Sequence, residues 1–307
     1  MGKTAFIFPG QGSQYVGMGK DFHDSIPACK AVYETAQKAS GLDMKALCFE
    51  ENEKLSVTEY TQIAMLATEI AILKAVEEKG IRADVTAGLS LGEYGAIYTA
   101  GVMELEALFR IIRKRGIYMQ EAVPEGGAMT AVLGAKTEVI ERICKEVSGQ
   151  VSIANYNCPG QIVITGESGA VKEAEEKLMQ SGAKRCIPLK VSGPFHSPML
   201  REAGVKLRKE LDTVTLQEIR TPYLTNVTAD YVDDCSKVKE LLEKQVSSPV
   251  RWQQSVEKMI ADGVDTFIEI GPGKTLTGFV RKINKSVTAV NIEKLEDLEK
   301  LDALVQK

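Results

Sequence analysis

The sequence predicts an α/β fold in two parts: a large body built on a mostly parallel sheet, and a small unit inserted into it. Three observations lead there. Short, mostly apolar runs such as Phe6-Ile7-Phe8 and Thr266-Phe267-Ile268-Glu269-Ile270 pass straight into glycine-rich loops, as buried strands do. Helical patterns follow those loops. Breaks at Pro124-Glu125-Gly126-Gly127 and Gly193-Pro194 bracket a stretch with its own rhythm.

In chain order, Phe6-Ile7-Phe8 reads as a strand ending in the loop Pro9-Gly10-Gln11-Gly12-Ser13-Gln14. Apolar periodicity predicts helices over 28–40 and 61–79. A short extended stretch, Asp84 to Ala87, runs into Gly88-Leu89-Ser90-Leu91-Gly92, and a helix-like run starts at Glu93. A further helix spans Leu105 to Ala122. After the first break come a strand (128–133), a helix (137–147), two strands (151–154 and 161–164) joined through Pro159-Gly160, a helix (170–180) and a strand (184–191). This β-α-β-β-α-β order is that of a ferredoxin-like unit. Beyond the second break, a strand is expected at 222–225, helices at 237–245 and 252–261, and a buried strand at 266–270. That strand ends in Gly271-Pro272-Gly273, with a helix from about Thr275. The expected division is 1–125 with 194–307 as the large domain, and 126–193 as the insert.

The bulk composition is that of an ordinary globular chain: 307 residues, 44% hydrophobic and 26% charged. A net charge of −4 argues against general nucleic-acid binding. No stretch reaches the ~18 apolar residues of a membrane span. The six cysteines are scattered, without metal-ligand spacing, and read as reduced thiols. The start of the chain enters a strand without a signal-peptide layout, so a cytoplasmic location, with neither membrane nor nucleic-acid partner, is expected.

Ser90 carries the clearest chemistry. Gly-x-Ser-x-Gly between a strand and a helix is the pattern of a nucleophile elbow, and gives the large domain its α/β-hydrolase-like character. The turn is so sharp that little beyond glycine fits beside the serine. The hydroxyl then stands at a helix N-terminus, near backbone N–H groups that can hold an oxyanion. A serine nucleophile needs a base, and the chain has two histidines. His23, in Lys20-Asp21-Phe22-His23-Asp24, reads as part of a solvated helix end. His196 lies in Gly193-Pro194-Phe195-His196-Ser197-Pro198, where two prolines stiffen a loop able to hold a base. A loop histidine with a purely structural hydrogen bond is the other reading.

On the 105–122 helix, Arg115 falls on the apolar stripe of Leu108, Ile111, Ile112 and Met119. A guanidinium there needs an anionic partner, either an internal carboxylate or a substrate carboxylate. Periodicity does not choose between them. Gln11, between two glycines, could donate to an oxyanion or hold its loop. Gly10-Gln11-Gly12 lacks both the third glycine of a dinucleotide fingerprint and the Gly-Lys-Ser/Thr of a P-loop, so nucleotide binding is set aside.

Taken together, Phe8-Pro9-Gly10-Gln11-Gly12-Ser13-Gln14, the Ser90 elbow with Glu93-Tyr94, Arg115-Gly116, Asn155-Tyr156-Asn157-Cys158-Pro159-Gly160-Gln161, Pro194-Phe195-His196, Pro249-Val250-Arg251-Trp252 and Glu269-Ile270-Gly271-Pro272-Gly273-Lys274 resemble the malonyl-CoA:acyl-carrier-protein transacylase family over nearly the whole chain. The resemblance implies Ser90 as acyl nucleophile and His196 as its base, oriented by a backbone carbonyl at Gln245 rather than by an acidic residue. It implies an oxyanion hole from the backbone N–H groups of Gln11 and Leu91, and Arg115 as the grip on the malonyl carboxylate. Gln62 and Asn157 match positions near the pocket. Phe195 and the apolar Leu91 favour malonyl over branched acyl groups. One departure is Leu89, where the family usually has histidine. Since His196 is the implied base, this change removes an outer hydrogen bond at most.

The resemblance further implies no metal and no cofactor, malonyl-CoA as substrate, a transient acyl-carrier-protein partner and a monomer. Docking an acidic carrier would use basic residues, with Lys184, Arg185, Lys190, Lys274, Arg281 and Lys282 as candidates. The same Ser-His pair would also serve a thioesterase or other hydrolase, and a non-catalytic carrier-docking subunit is the remaining alternative.

Overall fold

The computed structural model describes residues 2–191 and 193–305, with side chains to residue 302. The main sheet is built on β1 (Lys3–Phe8), whose last four residues are all buried. Parallel neighbours flank it: β2 (Val85–Gly88) on one side and β7 (Val264–Ile270) on the other, with β8 (Thr288–Ile292) beyond, in the order β2-β1-β7-β8. The carboxyl ends of β1, β2 and β7 therefore lie side by side, the place where open parallel sheets collect their sites.

Helix Thr58–Glu78 is buried on nearly every face, since its sequence is apolar all round rather than striped. Helix Leu105–Ala122, with a polar outer face, packs along it and brings Arg115 inward.

The second sheet holds β3 (Gly127–Leu133), β4 (Val151–Cys158), β5 (Gln161–Glu167) and β6 (Arg185–Pro188), antiparallel in the order β4-β5-β3-β6. Helices Thr137–Glu146 and Ser168–Gln180 cover one face, where Ile140, Ile143, Val171 and Leu178 pack on Val132, Ile162 and Ile164. Alternate residues Met129, Ala131 and Val163 point the other way and form part of a cavity shared with the main body. This is the expected ferredoxin-like arrangement within an α/β body.

The structure departs from expectation in several places. The strand expected over 184–191 stops at Pro188, an edge-strand position where a missing N–H is tolerated. Leu189 and Val191 then turn to line the cavity. Residues 222–225 make only isolated bridges, Tyr223 to Thr86 and Leu224 to Tyr231. β8 and the helix Arg201–Asp212 were not anticipated. His23 corrects its reading as a solvated residue. It is buried, edge-on to Tyr33 and Phe49, with Nδ1 2.7 Å from Asp24 Oδ1. Its neighbours in sequence are charged, but its neighbours in space include the aromatic rings of Tyr33 and Phe49, distant along the chain.

Among the described residues no helix is long and apolar enough to cross a membrane, and no group of three or more His, Cys, Asp and Glu is placed to hold a metal ion. All six cysteines are free thiols.

Candidate active site

The elbow is forced by packing. A Cβ on Gly88 would lie 1.9 Å from the carbonyl carbon of Gly92, and one on Gly92 would lie 2.1 Å from the Phe8 carbonyl oxygen. Leu89 N–H donates to that same Phe8 oxygen at 3.0 Å, tying the turn to the end of β1. Ser90 itself has φ of +55°, a left-handed conformation that a non-glycine residue adopts only when its surroundings hold it there. The holder is Asn226, which accepts from Ser90 N–H at 2.6 Å and donates to Gly88 O at 2.6 Å.

Ser90 Oγ lies 2.7 Å from His196 Nε2. On the other side of the ring, Nδ1 lies 2.9 Å from the Gln245 carbonyl oxygen. A carbonyl only accepts, so Nδ1 carries the proton and Nε2 is left as acceptor toward the serine. No carboxylate takes the third position. Burial is the main force pulling the His196 pKa down to about 4, with the Arg115 charge adding to it, against the opposing bond to Gln245. The ring is therefore neutral at pH 7 and free to take a proton.

That shift has a consequence for stability. An unfolded histidine titrates near 6.5. Between pH 6.5 and 4 the unfolded chain holds the extra proton, so stability rises with pH across this window and is lost as pH falls through it, by about 3 kcal/mol. Urea melts at pH 7 and pH 4.5 are expected to show this component in the wild type and not in His196→Asn.

Arg115 is 1% exposed. Its Nη1 donates to Gln62 Oε1 at 2.8 Å, and its Nη2 to Gln245 Oε1 at 3.0 Å and to Ser90 Oγ at 3.1 Å. The guanidinium stands 5.5 Å from the Tyr94 ring centroid. Among the described residues no carboxylate lies within ion-pair distance of it. Burial is the largest influence on Arg115 and lowers its pKa, while Tyr94 and the buried acid Glu93 oppose it, Glu93 from beyond ion-pair distance.

The cavity, about 250 Å³, is lined by Gln11, Ser90, Leu91, Arg115 and His196 among others. Gln62, Asn157 and Phe195 line it too, and Asn157 Oδ1 is buried without a partner. Gln11 divides the two roles considered for it. Its side chain holds the loop, donating to Thr58 Oγ1 at 3.1 Å, while its backbone N–H makes no hydrogen bond among the described residues. Thr275, Leu276 and Phe279 bring the helix that follows β7, Thr275–Ile283, to the same cavity. Glu269, at the end of that strand, caps the 275–283 helix by accepting from Leu276 N–H at 3.0 Å and Thr277 N–H at 2.7 Å. Leu89 packs over Gly10, where a Cβ would lie 2.8 Å from its Cδ2.

Lys184, Arg185, Lys190, Lys274, Arg281 and Lys282 are all exposed. Lys190 and Lys274 directly adjoin cavity-lining residues, and Lys282 Nζ reaches Gln161 Oε1 at 3.4 Å.

Three members of the site escaped the sequence reading: Asn226, Glu93 as a buried acid, and the side chain of Gln245. Gln245 Nε2 donates to Ser90 O at 2.9 Å and to Glu93 Oε2 at 2.7 Å, and Glu93 Oε2 also accepts from Asn226 N–H at 3.0 Å. Glu93 was visible only as a member of a motif. Asn226 carried no local signal.

Comparison with known proteins agrees with this geometry. Residues 5–300 match the acyl transferase domain family. The chain is 44% identical over 304 residues to the malonyl CoA-acyl carrier protein transacylase of Bacillus subtilis, covering 97% of this chain and 96% of that one. It superposes with a TM-score of 0.95 on the malonyl CoA-acyl carrier protein transacylase of Clostridium perfringens, at 45% identity and 99% and 97% coverage. The same score, at 38% identity and 99% and 100% coverage, relates it to a malonyl-transacylase solved in complex with its type II PKS acyl-carrier protein. With residues 5–300 matched, the chain belongs to the acyl transferase domain family.

Proposed function

We propose that this chain transfers malonyl groups from malonyl-CoA to the phosphopantetheine thiol of acyl carrier protein, supplying fatty-acid or polyketide chain elongation. The observation that carries the reading is Arg115: buried, without a carboxylate in ion-pair contact among the described residues, and donating to the very oxygen that attacks. The free carboxylate of malonate supplies the direct, hydrogen-bonded contact that Glu93, beyond ion-pair distance, does not.

His196 Nε2 takes the proton of Ser90 Oγ as the oxygen bonds to the thioester carbon. The backbone N–H groups of Gln11 and Leu91 receive the developing oxyanion. The tetrahedral species collapses, the C–S bond breaks, and the His196 proton leaves with the coenzyme A thiolate. A malonyl ester remains on Ser90. The carrier thiol then repeats the sequence: His196 takes its proton, its sulfur bonds to the ester carbon, and the proton returns to Ser90 as the C–O bond breaks.

Gln62 and Gln245 hold Arg115, Asn157 faces the incoming chain, and Phe195 with Leu91 narrows the acyl end. The exposed Lys184, Arg185, Lys190, Lys274, Arg281 and Lys282 supply the docking face for the acidic carrier. The chemistry needs no cofactor, since the thioester is already activated. The reading places the chain in the cytoplasm as a monomer, with residues 126–193 forming one unit and 1–125 with 194–307 the other, and without nucleic-acid or membrane partners.

Intact-protein mass spectrometry after mixing with malonyl-CoA, and again after adding holo carrier protein, tests this. One malonyl adduct, absent from Ser90→Ala and cleared onto the carrier, supports it. An adduct lost only to water means a hydrolase. No adduct means a different donor or a binding protein.

A further inference from the structure

Behind the reacting atoms lies a buried acid that the transfer steps do not use. Glu93 is fully buried, and its Oε2 accepts two hydrogen bonds, from Gln245 Nε2 and from Asn226 N–H, while Oε1 has no partner. The Gln245 carboxamide is consequently fully committed. Its two N–H donors go to Glu93 and to Ser90 O, and its oxygen faces Arg115 Nη2. Turning that amide over would place its oxygen against the Glu93 carboxylate and its N–H groups against the guanidinium, a mismatch at both ends.

We infer that Glu93 is a positioning residue for acyl-group selection: by accepting from the Gln245 carboxamide it fixes the amide oxygen toward Arg115, and so holds the guanidinium beside Ser90 before substrate arrives. The inference rests on the malonyl-transfer reading, and it assigns selectivity to a residue that touches neither substrate nor reacting atoms. Two carboxamide oxygens, from Gln62 and Gln245, grip opposite ends of the guanidinium. Loss of one lets a long side chain leave its aimed position, and pre-paid orientation is what an arginine clamp contributes to the bound state. Gln245 thus serves the site with two separate parts, the carbonyl orienting His196 and the carboxamide orienting Arg115.

The separation makes the inference testable. In Glu93→Gln the new amide oxygen can occupy the place of Oε2 and keep both hydrogen bonds. In Glu93→Leu the acceptor is gone. Gln245→Met keeps the backbone carbonyl and most of the side-chain volume but removes the carboxamide, and it provides a second route should Glu93→Leu fold poorly. The readout is kcat/KM for malonyl-CoA divided by that for acetyl-CoA. Glu93→Leu and Gln245→Met are expected to lower this ratio about tenfold, mainly through a higher KM for malonyl-CoA, the size of one lost hydrogen bond to a charged group. Glu93→Gln is expected to stay within about threefold of the wild type. Equal losses for both donors in the first two variants, or an unchanged ratio, would overturn the inference, because a merely structural role lowers both together. A wild-type enzyme with no preference for malonyl-CoA, or no malonyl adduct, would instead bring down the malonyl-transfer reading and this inference with it.

Discussion

Ser90→Ala is expected to form no malonyl adduct at all and to lose at least ~10⁴-fold in kcat/KM, as is His196→Ala. The two losses will not add. The hydroxyl and the imidazole are joined by a 2.7 Å hydrogen bond and act as one unit, so the double variant should be about as slow as either single one. Steady-state rates on all three variants, alongside adduct mass spectra, check this. Additive losses would mean that the serine and the histidine serve different steps. His196→Ala is the cleaner probe of the base, because the oxyanion donors and the arginine stay in place.

Arg115→Ala is expected to lower kcat/KM for malonyl-CoA by about 10²–10³-fold, the cost of leaving a buried carboxylate without its charged partner. Transfer from acetyl-CoA should survive, and selectivity should approach or cross unity. Arg115→Lys should not restore malonyl activity, since a single ammonium cannot reach Gln62, Gln245 and a bidentate carboxylate at once. If Arg115→Ala retained full malonyl activity and selectivity, the carboxylate would have to be bound elsewhere in the cavity.

The parts of this site that can be read from sequence are those with a local physical cause. The elbow is legible because its two glycines answer a clash that exists wherever a strand turns so sharply into a helix. Arg115 is legible because a charge on an apolar stripe breaks a helical period. The insert is legible because its strands and helices alternate in a recognisable order. Other parts have no local cause. Asn226 meets Ser90 across 136 residues of sequence, and the Gln245 carboxamide meets Ser90 O across 155. Nothing around Asn226 distinguishes it from any loop asparagine, and only the folded chain brings it to the elbow. His23 shows the opposite failure, where charged neighbours along the chain hid a burial set by Tyr33 and Phe49.

The carbonyl behind His196 has no proton of its own to gain or lose. An aspartate in that place would titrate, and its charge would favour the imidazolium form. A peptide oxygen instead presents the same acceptor at every pH at which the chain stays folded. It also belongs to the backbone of Gln245, so no side-chain rotamer can swing it away. The main chain itself aims the base of this site, and a point substitution at 245 leaves that acceptor in place.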